Sequence, residues 1–231
     1  SDEGTYFIET QGVDNVGNVG KVVRSGTFIV DKTNPTGSLS QSPTGWTNGD
    51  VTITAKGSDS GGSGFYRIKK PDDTYTNGTS ATYSVSNNGT YTFVFYDNAG
   101  NSVSKSITVN NIDKVAPEGT LTQSPTGWTN GNVTITAKGS DSGVSGFHGI
   151  MLPSGAFSGD AEATYIVTQN GTYTFEFYDA AGNKTVKSIT VSNIDKEKPN
   201  GSFSPNSHAW TNKNVSVIFT PSDSGGSGVY R

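Results

Sequence analysis

The sequence holds no cysteine, one methionine, two histidines and three tryptophans in 231 residues. Without cysteine there is no disulfide framework, no thiolate metal site and no cysteine nucleophile. Charge is also sparse. Only 16% of residues are charged, the formal net charge is −4, and no basic run or stripe occurs. The counterion release that supplies most nucleic-acid affinity therefore has nothing to act through, and nucleic acid is not expected as a partner. Apolar runs stop after a few residues, far short of the ~20 that cross a bilayer, so no membrane span is expected in this segment. Residues 1–18 lack the charged-then-apolar pattern of a signal peptide. The chain reads as an interior piece of a longer protein.

What is present is turn-forming and strand-forming. Gly (30) and Pro (9) together make about 17% of the chain, below the ~25–30% of low-complexity disorder. Thr, Val, Ile, Tyr and Phe fill the periodic segments while Leu, Met and Ala are scarce, a strand composition with almost no helix expected. Hydrophobic residues reach 31%, thin for one large core and adequate for several small ones.

Self-similarity sets the organisation. WTNGDVTITAKGSDSGGSGF (Trp46 to Phe65) returns as WTNGNVTITAKGSDSGVSGF (Trp128 to Phe147) and WTNKNVSVIFTPSDSGGSGV (Trp210 to Val229), at a constant step of 82. Pro35, Pro117 and Pro199 keep the same step. The expected division is a C-terminal part of a repeat over 1–34, complete repeats over 35–116 and 117–198, and an N-terminal part of a repeat over 199–231.

Within a repeat the runs are short and alternate, as half-buried antiparallel strands do. Val51, Ile53 and Ala55 share one inward face; Ala81, Tyr83 and Val85 another; Tyr91, Phe93 and Phe95 a third, with Leu39, Ile107 and Val109 completing the set. Glu176 replaces Val94 while Phe175 and Phe177 keep the places of Phe93 and Phe95, so the Phe side is the core. Asn48-Gly49 and Asn88-Gly89 predict positive-φ turns, and Pro43 and Pro71 bar strand continuation. Six or seven strands in 82 residues predict a small two-sheet sandwich. Tyr91, two residues ahead of inward Phe93, has the spacing of a tyrosine corner. The short linkers NNIDKVAP (Asn110 to Pro117) and SNIDKEKP (Ser192 to Pro199) end in Pro, which keeps the preceding residue extended.

On GWTNGDVTITA, the NGTYTFVFYDNAGN block (Asn88 to Asn101) and the NIDKxxP linker, the whole chain resembles the bacterial immunoglobulin-like tandem repeats of large cell-surface and secreted proteins. The resemblance implies an all-β fold of tandem immunoglobulin-like β-sandwich domains arranged end to end as a rod. It also implies an extracellular location and a structural or adhesive role as stalk or spacer. It says little of a ligand, since such repeats serve several ends.

Catalysis fails on inventory. His148 aligns with Tyr66 and Tyr230, and His208 with Thr126, so neither belongs to the repeated pattern and no enzyme is expected. SDSGGSG lacks the Lys of a phosphate loop. The carboxylates are more suggestive. Asp59 follows the second strand of the repeat, Asp97 opens the loop between the last two strands, and Asp31 lies in the entering linker; Asp141, Asp179 and Asp113 repeat the trio. An immunoglobulin-like topology gathers all three loops at one pole, where hard oxygen ligands suit calcium. The alternative reading is that Asp and Asn cap turns there without any metal.

Trp46, Trp128 and Trp210 lie at the opposite pole, before the second strand. Two readings are open for them: a plug or domain joint favoured by the large apolar area, and stacking on a sugar ring, with avidity along an array. The Asn-x-Ser/Thr sites read as turns. Lys56 and Lys138 recur but give way to Thr220, which argues against an isopeptide crosslink. Expected partners are neighbouring repeats of the same chain, with a surface glycan, a host or matrix protein, or self-assembly into a filament as further possibilities. Placing WTN and SDSG at opposite ends of one strand predicts that each Trp turn faces the Asp-bearing loops of the following repeat.

Overall fold

The structure is a computed structural model in which residues 2–205 and 210–230 are described, so His208 lies outside the described residues. Among the described residues the chain is all-β, with no helix, and so no helix long and apolar enough to cross a membrane. It divides into two compact units, Ser1–Ile112 and Asp113–Arg231.

The first unit opens with four short strands, β1 (Gly4–Tyr6), β2 (Glu9–Thr10), β3 (Val23–Arg24) and β4 (Phe28–Val30). They pair β1 with β4 and β2 with β3, leaving their side chains largely exposed. The complete repeat follows as β5 (Thr36–Ser42), β6 (Val51–Ser58), β7 (Phe65–Lys69), β8 (Tyr75–Asn77), β9 (Ser80–Val85), β10 (Gly89–Asp97) and β11 (Ser102–Val109). These form a three-stranded sheet in the order β5-β6-β9 and a four-stranded sheet in the order β11-β10-β7-β8, all antiparallel.

The second unit repeats this plan with β12 (Glu118–Ser124), β13 (Val133–Ser140), β14 (Phe147–Met151), β15 (Phe157–Ser158), β16 (Glu162–Val167), β17 (Gly171–Asp179) and β18 (Lys184–Val191). Its sheets run β12-β13-β16 and β15-β14-β17-β18, and β19 (Asn200–Ser204) pairs with β20 (Ile218–Ser222) in the partial repeat.

Alternation explains the core. Val51, Ile53 and Ala55 of β6 are fully buried while Thr52 faces out, as a period of two requires. They meet Val85, Tyr83 and Ala81 directly across the pair, large against large and small against small. Phe93 and Phe95 of β10, both fully buried, join this cluster together with Ile68 and Val109. Tyr83 meets Phe93 edge-on at 6.2 Å. One apolar cluster thus draws on both sheets, and each buried Phe contributes about 2 kcal/mol. The second repeat buries Phe175, Phe177, Ile135 and Ile150 in the same way.

Two glycines face each other across each first strand pair, Gly37 opposite Gly57 and Gly119 opposite Gly139. A Cβ on Gly57 would fall 2.2 Å from the Phe65 ring, and one on Gly139 would fall 2.1 Å from the Phe147 ring. The glycines are the floor on which the aromatic rings lie.

The expected turn chemistry needs correction. Neither Gly49 nor Gly89 adopts positive φ; Gly64, Gly78 and Gly100 do. The Trp-bearing turn is closed instead by Thr47, whose Oγ1 accepts the Gly49 N–H at 3.0 Å. Gly89 opens β10, and the Asn88 side chain reaches across to the linker. The Tyr91 hydroxyl donates to the Asn87 carbonyl at 2.7 Å, and Tyr173 does the same to Gln169 at 2.7 Å.

The unit boundary falls between Ile112 and Asp113, four residues before the sequence-based limit at 116. Ile112 is 5% exposed and belongs to the first core, which draws the linker into that unit.

Candidate functional site

In the first unit Asp31 follows β4, Asp59 follows β6 and Asp97 ends β10. One carboxylate oxygen from each lies within 4.8 Å of the other two, and the same holds for Asp113, Asp141 and Asp179 in the second unit. The structure therefore brings together both trios that the sequence grouped.

Each member is held differently. Asp97 accepts hydrogen bonds from the Asn101 backbone N–H and Nδ2, both at 2.7 Å, and that Nδ2 also donates to the Asp31 carbonyl at 3.0 Å. Asn183 repeats this with Asp179 and the Asp113 carbonyl. The Asp-x-x-x-Asn turn is thus a clamp on the incoming chain, and Asp14 with Asn18 forms the same turn in the leading piece. Asp31 accepts from the Ser63 N–H at 2.8 Å and the Ser63 hydroxyl at 2.5 Å. This hydrogen bonding holds the Asp31 carboxyl below its ordinary range. Burial works to raise the Asp113 carboxyl, but hydrogen bonds from Ser145 and Val115 outweigh it and the group also sits low.

The third member lacks such support. Both oxygens of Asp141 and Oδ2 of Asp59 are buried and accept no hydrogen bond. Asp59 keeps one bond, accepted at Oδ1 from the Gly61 N–H at 3.2 Å.

The glycine of SDSG has a steric role. A Cβ on Gly61 would fall 2.4 Å from the Asp31 carboxylate, and one on Gly143 would fall 2.3 Å from that of Asp113. Gly225 stands in the same relation to Asp195, at 2.1 Å. Any larger residue would push the linker carboxylate out of its loop.

At the other pole of each repeat, the linker is stapled to the Trp-bearing turn. In the second unit the buried Asn193 donates through Nδ2 to the Pro125 and Gly127 carbonyls, at 3.0 and 2.6 Å. Its Oδ1 accepts from Gln123 at 3.1 Å. Asn170 takes both backbone groups of Ile194, donating to its carbonyl at 2.8 Å and accepting its N–H at 2.9 Å. Thr129 and Ile194 form a parallel bridge, and the Asp195 N–H donates to the Thr129 carbonyl at 2.8 Å. The Asp195 carboxylate then turns to the partial repeat, accepting from the Ser227 N–H at 2.9 Å and hydroxyl at 2.5 Å. In the first unit Asn111, Gln41, Asn88 and Thr47 make the corresponding staple.

The tryptophans do not plug the core. Trp46 is 42% exposed, Trp128 52% and Trp210 fully exposed. Trp128 lies against the partial repeat, where a Cβ on Gly226 would fall 2.1 Å from its Cη2. A cleft of about 190 Å³ beside it is lined by Trp128, Thr129, Asn130, Asp195, Glu197 and Ser227. His148 is exposed, and its ring lies tilted by 38° to that of Phe157 with centroids 5.3 Å apart.

Sequence reasoning missed the linker Asn, its Gln partner, the Asn88 and Asn170 clamps, and Ser63, Ser145 and Ser227. All recur at the 82-residue step, which was the available signal. A second recurring pair was also missed: Tyr75 with Tyr96, and Phe157 with Tyr178, ring centroids 6.4 Å apart in both repeats.

No protein-family profile matches the chain, and no curated protein matches it. Among solved structures it is similar to one described as "Crystal structure of tetra-tandem repeat in extending region of large adhesion protein", at 15% identity and a TM-score of 0.30. The match covers 97% of this chain and 72% of that one.

Proposed function

We propose that this chain is a structural or adhesive segment of a bacterial extracellular surface protein, in which tandem immunoglobulin-like sandwiches serve as a stalk or spacer that displays other parts of the protein. The three-on-four sheet arrangement, the shared core and the Tyr91 and Tyr173 hydroxyl bonds support the immunoglobulin-like assignment.

One observation carries the mechanical reading. In the second unit the tripeptide Asn193-Ile194-Asp195 is fixed to the repeat before it and, through its last side chain, to the repeat after it. A flexible linker would leave these groups to water. Here three consecutive residues spend their polar groups on the two neighbours, which restricts bending at the joint.

The absence of cysteine makes the test clean. Spin labels on Lys187→Cys and Ser202→Cys, both exposed positions, report the distance across this joint in the intact chain. A narrow distribution that broadens with Asn193→Ala plus Ser227→Ala supports a stiff spacer. A wild-type distribution as broad as that of the variant refutes it.

The exposed Trp128 beside its polar cleft favours a second reading, carbohydrate binding through the Trp turns, since an indole face and nearby Asn, Asp and Glu groups suit a sugar ring. Trp128→Ala abolishing retention on a glycan array would establish it; no retention of the wild type on any glycan would remove it.

A further inference from the structure

We propose that the outer face of the four-stranded sheet in the first repeat binds a carboxylate-bearing sugar of an acidic glycan, with Tyr66, Tyr75 and Tyr96 as the stacking platform and Arg67 as the fork for the carboxylate. The inference rests neither on the spacer reading nor on the Trp turns.

A bulge builds the platform. Phe65 pairs with Asp97 and Arg67 with Tyr96, so Tyr66 is one extra residue in β7. A strict period of two would set Tyr66 and Arg67 on opposite faces. The bulge re-aims the side chain, and the Arg67 guanidinium lies 4.9 Å from the centre of the Tyr66 ring. Tyr75 of β8 and Tyr96 of β10 complete the group, their ring centres 4.1 and 5.5 Å from the same guanidinium. Ile68 beside it is fully buried, which leaves Arg67 on the outward side.

The second support is a cation without an anion. Among the described residues no carboxylate pairs with Arg67 and no side-chain hydrogen bond uses its guanidinium, whose Nε is buried without a partner. Lys69, the next outward cation, is already matched by Asp73 at 2.7 Å. Stacking on rings fixes the plane of a guanidinium and leaves the N–H fork at its edge for a planar, bidentate acceptor. One unspent positive charge suits a singly charged carboxylate, whereas a phosphate dianion would call for further cations.

The rings supply the rest of the recognition. Tyr66 and Tyr75 are 41% and 47% exposed, and the negative face of an aromatic ring attracts the C–H groups on the flat side of a sugar. The Tyr75 and Tyr96 rings are 6.4 Å apart and tilted by 50°, a cupped surface that fits a single sugar residue better than a flat crystalline one. The rings stand on the face of the sheet, where a peptide finds no strand edge to extend.

The second repeat shows the platform without the fork. The bulge recurs at His148, between Phe147 opposite Asp179 and Gly149 opposite Tyr178, and His148, Phe157 and Tyr178 hold the three aromatic positions. Gly149 stands in the place of Arg67, and a Cβ on it would fall 2.5 Å from the Phe157 ring. Glu176, in the place of Val94, brings an acid that Lys184 and the Tyr178 hydroxyl hold. One acidic-sugar site per chain follows.

The experiment titrates the intact chain, by calorimetry and by NMR of its backbone amides and indoles, with hyaluronan oligosaccharides, oligogalacturonate and sialyllactose, each beside its neutral counterpart. At least one acidic probe should bind at one site per chain with a dissociation constant below about 1 mM, shifting amides of β7, β8 and β10. The neutral counterpart should bind at least about tenfold more weakly. Arg67→Lys, which keeps the charge and loses the fork, should weaken binding about tenfold, and Tyr75→Ala should do the same. Neither substitution opens a core cavity, so unfolding midpoints should stay within about 3 °C of the wild type, which separates a lost site from a lost fold.

No binding of any probe at about 10 mM, equal binding of the neutral counterparts, or undiminished binding by Arg67→Lys and Tyr75→Ala would overturn the proposal. So would shifts confined to the Trp128 indole, which would place the sugar at the Trp turn. Shifts in β7 and β10 that grow with chain concentration alone would assign the face to a second copy and overturn it too. The spin-label distances across the Asn193 joint test the spacer reading separately.

Discussion

Replacing Asn193 with alanine is the most informative perturbation of the joint. The side chain is 8% exposed and makes three hydrogen bonds: to the Pro125 and Gly127 carbonyls and from Gln123. Each is worth about 1 kcal/mol net, and the two carbonyls and one amide left behind are confined in a part-buried site, so the loss sums to about 3 kcal/mol. For a domain of this size that corresponds to a fall in midpoint of about 12–24 °C. Differential scanning calorimetry of the intact chain measures it. The Asn111→Ala variant, in the other unit, should produce a comparable loss because it removes the corresponding bonds. Asn193→Asp should be at least as damaging, since it deletes both donated bonds and sets a charge against two carbonyls. A fall of under about 3 °C for Asn193→Ala would refute the reasoning, because it would mean that water replaces the staple at no cost.

Gly139→Ala should destabilise the second unit by about 1–3 kcal/mol, because its Cβ would fall 2.1 Å from the Phe147 ring and force that ring to shift; urea unfolding checks it, and an unchanged midpoint would show that the ring moves freely. Tyr173→Phe, which loses only the hydroxyl bond to Gln169, should cost about 1 kcal/mol in the same assay. Asp31, Asp113 and Asp195 have carboxyl groups below their ordinary range through hydrogen bonding. A depressed folded pKa adds stability above the unfolded value near 4 and loses it as pH falls through the folded value. Midpoints measured from pH 7 down to pH 2 should therefore hold above about pH 4 and fall below it, and Ser227→Ala should shallow the fall. The tryptophans, all exposed, should emit at the red end of the indole range and be quenched readily by acrylamide; blue, protected emission would contradict their placement.

Which parts of this were legible beforehand follows from the range of the forces involved. The inward residues of β6, β9 and β10 were readable because burial imprints a period of two on Val51-Thr52-Ile53 and on Phe93-Val94-Phe95. The grouping of the three carboxylates was readable because topology alone puts their loops at one pole. The staple was not. Asn111 bonds to Pro43 and Gly45 across 68 and 66 residues, and the 82-residue recurrence marks the Asn without telling which distant carbonyls it reaches. Asn88-Gly89 was misread as a turn for the same reason, since its Asn serves Ile112 and its Gly starts a strand. Gly37, Gly119 and Gly201 offered a clue in hindsight. A glycine kept inside strands at every step of the repeat, where it weakens the pairing, marks a close approach.

The Asn-Ile-Asp tripeptide has a consequence for how such an array is built and copied. Asn193 and Ile194 complete the repeat behind them, while Asp195 completes the loop ahead; the unit boundary between Ile112 and Asp113 cuts the other copy at the same point. A module excised at the proline would carry an orphaned carboxylate and leave its successor with an empty serine clasp. Gain or loss of a repeat is therefore neutral only in whole periods, with both half-joints retained in phase. The joint between modules thus constrains the 82-residue step independently of the packing inside each sandwich.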